Sequence, residues 1–426
     1  MFRARGLLVF AILFVFITGG AAGVAQPVHA QEATAKSGSM NYGAVFTVAS
    51  YGNMEETAVS VANADLTMLL STNVQCIRID IGYSPWLQNN QTAINEMTGL
   101  VRQIRDAGKC LIIADAASES YRKGGQLTWS QFMAAWGPRV STLAALYHPD
   151  YYIVVKEPGW YVPLISDAIT NPQFQNVSVW LSLTQDLTND VHAASPSTVV
   201  GVSIAANSLS GANGKFYSQY LNQVQSTSGL SFIGFDIYGP NDQQATETYL
   251  SANPPSKAVW IPEAWSTATG APLNGSPSDD AQWIQSIVTF ATSVRAAFLI
   301  PFFTDDFASY SLISDPPTSV AQIVSLFQQR TPVFSAFASL VAATSNASSA
   351  QVSSTATSSG AQSSSAASSQ SKASSTTSVS SSLTSHITST SLSSGGKGIF
   401  SKRVIAVAII LVIIAAVAVI YLRRRR

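Results

Sequence analysis

Apolar positions gather in eight short runs, at 42–49, 74–81, 109–114, 151–155, 198–204, 230–238, 258–261 and 296–303. Each is of strand length and nearly continuous, the pattern of strands buried on both faces of a parallel sheet. The stretches between them carry helical spacing. Ile94, Met97, Leu100, Val101 and Ile104 share one helical face, and Trp283, Ile284, Ile287, Val288 and Phe290 share another. Gly108 is placed to stop the first helix and Ser278 to cap the second. A last amphipathic run, 320–340, follows the eighth strand. Eight strand–helix repeats in about 300 residues predict a (β/α)8 TIM barrel of the α/β class. The competing open, doubly wound sheet would want a Gly-x-Gly-x-x-Gly turn, and none follows any of the eight runs.

The two ends of the chain follow other rules. Arg3 and Arg5 precede an apolar run at 7–17, and Val28-His29-Ala30 has the small-residue form of a cleavage site. Residues 1–30 therefore predict a signal peptide, with an uncleaved anchor as the competing reading. Residues 404–422 are uninterruptedly apolar, and at about 1.5 Å per residue they nearly cross a ~30 Å hydrocarbon core. Lys402 and Arg403 flank this run on one side and four arginines, Arg423 to Arg426, on the other. The heavier basic cluster predicts a cytoplasmic tail with the bulk of the chain outside. Between barrel and anchor, 345–396 is almost wholly Ser, Thr, Ala, Val and Gln, with no aromatic or acidic residue. Such a segment cannot bury enough surface to fold and predicts a stalk. The expected division is a signal peptide at 1–30, a barrel domain at 40–344, a stalk at 345–398 and an anchor at 399–426, at the cell surface. Asn90, Asn176, Asn274 and Asn346 each begin an Asn-x-Ser/Thr glycan acceptor, as suits an exported chain.

Charge and cysteine narrow the function. Net charge is formally zero and 11% of residues are charged, so outside the tail nothing is basic enough to hold nucleic acid. Cys76 and Cys110 are the only cysteines. Export permits a disulfide between them, and two buried thiols are the alternative.

Two stretches carry candidate chemistry. Tyr151-Tyr152-Ile153-Val154-Val155-Lys156-Glu157-Pro158-Gly159-Trp160 is a strand that ends in a carboxylate and breaks on Pro and Gly. Ala258-Val259-Trp260-Ile261-Pro262-Glu263-Ala264-Trp265 repeats the design. Pro158 should hold Glu157 extended, since its ring bars the preceding residue from the helical region. In a barrel, active residues stand at the C-terminal strand ends, so Glu157 on strand four and Glu263 on strand seven should face one mouth. Other chemistries fall away. Of the four histidines, His29 lies in the signal peptide and His386 in the stalk; no histidine cluster has metal-ligand spacing. Gly201-Val202-Ser203-Ile204-Ala205 approaches a serine-hydrolase elbow, but no histidine follows in the same domain. Both cysteines lie inside strands, away from the exposure a thiolate nucleophile needs. What is left is a carboxylate pair, and retaining glycoside hydrolysis asks for two carboxyls about 5–5.5 Å apart. No metal or cofactor is implied.

On these residues the chain resembles the clan A glycoside hydrolases, (β/α)8 retaining glycosidases that include the family 5 cellulases and mannanases. The likeness spans 40–344. It implies that Glu157, followed by Pro158, is the acid/base and Glu263 the nucleophile. Cys76-Ile77-Arg78-Ile79-Asp80 is similar to the second strand of that group, whose arginine supports the nucleophile; Arg78 takes that place. Phe235-Asp236-Ile237-Tyr238-Gly239 is similar to the sixth, whose tyrosine contacts the nucleophile; Tyr238 matches, with Asp236 on the same strand face. Three positions depart from the pattern. Lys156 stands where the group has the asparagine that bonds the sugar 2-hydroxyl, Asp115 lies near a missing third-strand histidine, and Phe302 and Phe303 stand at the eighth-strand tryptophan. Lys156 could bond that hydroxyl, lower the pKa of a neighbouring carboxylate, or point outward. Trp160 and Trp265, with Tyr51, Tyr83 and Trp86 after earlier strands, could offer aromatic faces to sugar rings. Trp129, Trp136, Trp180 and Trp283 fall in helices and should be core. The resemblance implies an external polysaccharide or glycoconjugate as substrate. A catalytically silent barrel that binds glycans or scaffolds the cell envelope is the competing class.

Overall fold

The computed structural model describes residues 40–46, 59–82, 90–116, 127–159, 161, 165–168, 170–264, 277–301 and 319–343. The signal peptide, stalk and anchor predicted above lie outside them. Among the described residues no helix is long and apolar enough to cross a membrane.

Eight parallel strands close into a barrel in sequence order. They are β1 (Asn41–Val45), β2 (Cys76–Gly82), β3 (Cys110–Ala116), β4 (Tyr151–Lys156), β5 (Val199–Ala205), β6 (Leu230–Ile237), β7 (Ala258–Ala264) and β8 (Phe298–Pro301). Closure is made by Asn41 and Tyr42 pairing with Phe298 and Leu299. Each strand is followed by a helix: α1 (Val59–Leu70), α2 (Gln91–Asp106), α3 (Trp129–Tyr147), α4 (Val177–Ala194), α5 (Gly214–Val224), α6 (Pro240–Ala252), α7 (Pro277–Ser293) and α8 (Val320–Phe327). A further helical stretch covers 332–343; Pro332 opens it and Thr331 Oγ1 accepts from Phe334 N at 3.2 Å, so the amphipathic run at 320–340 is split in two.

Local chemistry explains the helix limits. Asn90 caps α2 by accepting from Ala93 N at 3.1 Å, and Gly108 takes a positive φ of 69° just past its end. Thr128 and Gln131 form a reciprocal capping box on α3. The sequence placed Ser278 at the cap of α7, but the helix opens at Pro277 and takes Ser278 into its first turn. Proline loses nothing there, because the first helical N–H has no partner within the helix.

Inward and outward positions alternate along the strands and make two packed layers. The outward face meets the helices through residues such as Ile77, Ile79, Leu111, Ile113, Val200, Val202, Ile233 and Phe235. Inside, the lower barrel is filled by Val45, Cys76, Ile112, Ile153, Phe232, Trp260 and Phe298. Phe232 and Trp260 stack with centroids 3.8 Å apart, and Tyr151 and Phe298 pack edgewise or tilted against Trp260. Gly201 faces this plug and has no room for a side chain, since a Cβ there would sit 2.3 Å from the Phe232 ring. Cys76 and Cys110, register partners on β2 and β3 with Cα atoms 4.4 Å apart, form a disulfide, which decides between the two readings above. The four helical tryptophans are buried, as expected.

Gly201→Ala should force the Phe232–Trp260 stack apart and cost about 1–3 kcal/mol. A lower urea midpoint with unchanged slope would report it, and Phe232→Leu in the same chain should recover part of the loss.

Candidate active site

Above the aromatic plug, at the C-terminal strand ends, the barrel interior turns polar. Arg78 and Asp80 on β2, Lys156 on β4, Ser203 on β5, Asp236 on β6 and Glu263 on β7 all point inward and are buried. Glu157 and Tyr238 stand just beyond the ends of β4 and β6.

Strand irregularities aim these side chains. Strict alternation along β4 would put Val155 inside and Lys156 outside. The register with β5 slips between Ile153 and Val155, so that Val154 and Val155 both join the outer core and Lys156 turns inward. A bulge inserts one residue and flips every position after it. The same device operates on β7. Gly234 and Asp236 on β6 pair with Trp260 and Glu263, two positions against three. Pro262, with no N–H to donate to a ladder, occupies the slip, and Gly234 leaves space for its ring.

Glu157 does not adopt the extended backbone that Pro158 led us to expect. Its φ is 47°, in the left-handed region, and its N–H donates to Ser203 O at 2.9 Å. The proline ring bars only the right-handed helical region, and the turn into Pro158 and Gly159 takes the other branch. A non-glycine residue there carries about 1–2 kcal/mol of strain. At Gly159 a Cβ would meet the Tyr217 hydroxyl at 2.7 Å and push that ring aside.

Arg78 is the centre of the layer. Its Nε and Nη2 donate to the two carboxylate oxygens of Asp80 at 2.6 and 2.7 Å, a bidentate pair. Nη1 donates to Pro262 O across the barrel, and Nη2 also reaches Glu263 Oε2 at 3.2 Å. Lys156 Nζ lies 2.7 Å from Asp80 Oδ2 and 2.8 Å from Glu263 Oε2. Of the three readings of Lys156, the outward one is therefore excluded. Asp80, which the sequence showed only as the last residue of the second-strand motif, is the carboxylate that fixes both cations. The Arg78-Ile79-Asp80 alternation was its one available signal. Ser203, dismissed as a nucleophile, donates to Asp236 Oδ2 at 2.9 Å.

Tyr238 joins the two glutamates. Its hydroxyl donates to Glu157 Oε1 and lies 3.2 Å from Glu263 Oε1. Two hydrogen-bonded contacts through one oxygen cap the gap between those carboxyl oxygens at about 6 Å. Asp242, in the first turn of α6, accepts from Tyr238 N at 2.7 Å and sets the tyrosine in place.

The carboxyls sit in unequal fields. Burial works to raise Asp80, but Arg78 and then Lys156 outweigh it and lower its pKa to about 2. Burial, and then the charge of Glu263, push Glu157 up to about 7, with Lys156 and Tyr238 working the other way. Asp236 is raised well above the usual carboxylate range by burial and by both glutamates. Burial and the surrounding carboxyls also raise the Tyr238 phenol, so it stays a donor.

The remaining sequence candidates are elsewhere or undescribed. Trp160, Trp265, Tyr51, Tyr83, Trp86, Phe302 and Phe303 lie outside the described residues, as does the side chain of Asp115. His148 ends α3 with a left-handed φ of 42°, just before β4, and His192 Nε2 is 3.1 Å from Thr198 O; neither reaches the mouth.

No family model and no curated protein matches the chain. Among solved structures it is similar to a β-glucosidase (10% identity, 66% of this chain and 87% of that chain, TM-score 0.48). It is also similar to the β-glucosidase from Thermotoga maritima in complex with cyclophellitol (10%, 56% and 76%, TM-score 0.42). A third is the catalytic domain of Thermobifida fusca endoglucanase Cel5A (13%, 68% and 92%, TM-score 0.43).

Lys156→Met should remove one of the two cations that Asp80 and Glu263 share and cost about 3–5 kcal/mol, the usual result of breaking a buried ion pair from one side. Chemical denaturation would measure it. A titration of Glu157 should shift upward in the same variant, because Lys156 favours its ionised form.

Proposed function

We propose that this chain is a retaining β-glycosidase, with Glu157 as acid/base and Glu263 as nucleophile. The observation that carries the reading is the pair itself: two buried glutamates on one tyrosine hydroxyl, one ion-paired to Arg78 and Lys156, the other raised to about 7 and bonded, among the described residues, to the phenol. Two carboxyls with such different surroundings divide the labour of an acid and a nucleophile. The cap of about 6 Å between the two oxygens that meet on Tyr238 suits retention, which uses about 5–5.5 Å, better than inversion, which needs room for a water between the carboxyls.

In the first step Glu263 attacks the anomeric carbon while protonated Glu157 gives its proton to the leaving oxygen. Glu263 becomes a neutral glycosyl ester and Glu157 a carboxylate, so the layer keeps the same total charge. With the Glu263 charge gone, one of the causes holding Glu157 up is gone too. Glu157 therefore remains ionised as a base for the water that cleaves the ester. Tyr238, in contact with both carboxyls, stays beside whichever one carries the charge.

The wider reading is an exported enzyme on a stalk, anchored by 404–422, acting on an external polysaccharide or glycoconjugate. The N-terminal signal pattern, the Ser/Thr-rich segment and the flanked apolar run support it. A kinship with the family 5 cellulases and mannanases is part of this reading, on the strand motifs around Arg78, Glu157, Tyr238 and Glu263. A barrel that binds glycans without cleaving them is the second reading, favoured by Lys156 in the place of the expected asparagine.

Glu263→Gln should abolish turnover of an activated aryl β-glycoside; full retained activity refutes the assignment. In the active wild type, kcat/KM should fall as pH rises through about 7, since the first step needs the protonated acid, present below that value and lost above it. Sugar binding with no new reducing ends, over a glycan panel at acid and neutral pH, would favour the second reading.

A further inference from the structure

Among the described residues the polar layer holds four carboxyls and two cations. Arg78 and Lys156 are both engaged by Asp80 and by Glu263. Asp236 is different. It is 0% exposed, and among the described residues its Oδ2 meets only the Ser203 hydroxyl and its Oδ1 has no hydrogen-bond partner. It is also the register partner of Glu263, so its carboxyl lies beside the ion-paired one. As an anion it would be a third negative charge against two positive ones, buried and held by a single neutral donor. As an acid it is uncharged, and its proton can be shared with Ser203.

We propose that Asp236 is a carboxyl of this site that stays protonated at neutral pH. It is a positioning residue whose neutrality leaves two positive and two negative charges around the sugar site while Glu157 loses and regains its proton. The part about Glu157 rests on the reading above; the protonation of Asp236 does not. Among the described residues the groups facing Asp236 are Ser203 from β5, Lys156 from β4 and Glu157 just beyond it, Glu263 from β7, Arg78 from β2, and Tyr238 beyond the end of its own strand. Burial and the two glutamates outweigh the two cations among them and raise the carboxyl well above its usual range.

The test is thermal unfolding against pH for the wild type and Asp236→Asn. In the wild type the unfolded chain releases this proton above about pH 4 while the folded state keeps it, so stability is lost as pH rises from there. Asparagine has the same shape and no proton to hold. Asp236→Asn should melt a few degrees higher than the wild type near pH 7, with the margin closing toward about pH 4. A variant less stable near pH 7, or a margin independent of pH, overturns the proposal. The midpoint of the alkaline limb of kcat/KM should move by less than about half a unit, one neutral group replacing another. A fall of about one unit or more means that an anionic Asp236 had been raising Glu157, and also overturns it. If the variant fails to fold, the infrared spectrum of Glu157→Gln, which has no Glu157 proton to contribute, decides. A protonated-carboxyl band at pH 7 is expected there, and its absence overturns the proposal. An active Glu263→Gln enzyme would sink the catalytic reading and leave the melting margin as it is, so the two fail separately.

Discussion

The bidentate bond between Arg78 and Asp80 is the constraint on which the rest of the site depends. It holds a guanidinium, with no exposure to water, in a fixed plane. From that plane one nitrogen reaches Pro262 O and another reaches Glu263, so β2 dictates where the end of β7 can lie. Lys156 repeats the link from β4 by bridging the same two carboxylates. Buried ion pairs of this kind contribute little net stability, because desolvation offsets the attraction. Their effect is to specify geometry: any movement of β2, β4 or β7 strands a charge.

This rigidity explains how the two glutamates can meet with opposite character. Glu263 is ion-paired with Arg78 and Lys156, whereas burial and the charge of Glu263 hold Glu157 toward its acid form, although both contact one phenol. The bulges on β4 and β7 make the difference. Each lies one or two residues before a charged side chain and turns it into the barrel, where regular pleating would have sent Lys156 into the helical layer. The strained backbone of Glu157 belongs to the same construction, since its N–H is tied to Ser203 O on the next strand. The aromatic plug below, built on Trp260 and Phe232, closes the floor and keeps the polar groups at the strand ends.

Much of this was legible in the sequence, for identifiable reasons. Continuous apolar runs separated by helical spacing can be satisfied by few architectures, and eight of them at this length leave a barrel as the simplest. Glu157 and Glu263 stood out because a carboxylate at the end of an apolar run, followed by a break, has little use in a core. Arg78 and Tyr238 were found only through a family pattern. Asp80 and Ser203 were visible as letters but not as partners, because their roles depend on strands far away in the sequence. Pro158 misled about Glu157: a local rule excluded one backbone region, and a bond from β5 chose between those that were left.

The sequence by itself determined the succession of strands and helices and the presence of two acidic strand ends, because those follow from periodicity and from the cost of burying charge. The tertiary structure alone decided which way Lys156 points, that Cys76 meets Cys110, and which carboxyls keep their protons. Those outcomes turn on one-residue register slips and on the distances between charges carried by different strands. A residue's neighbours along the chain do not encode either quantity.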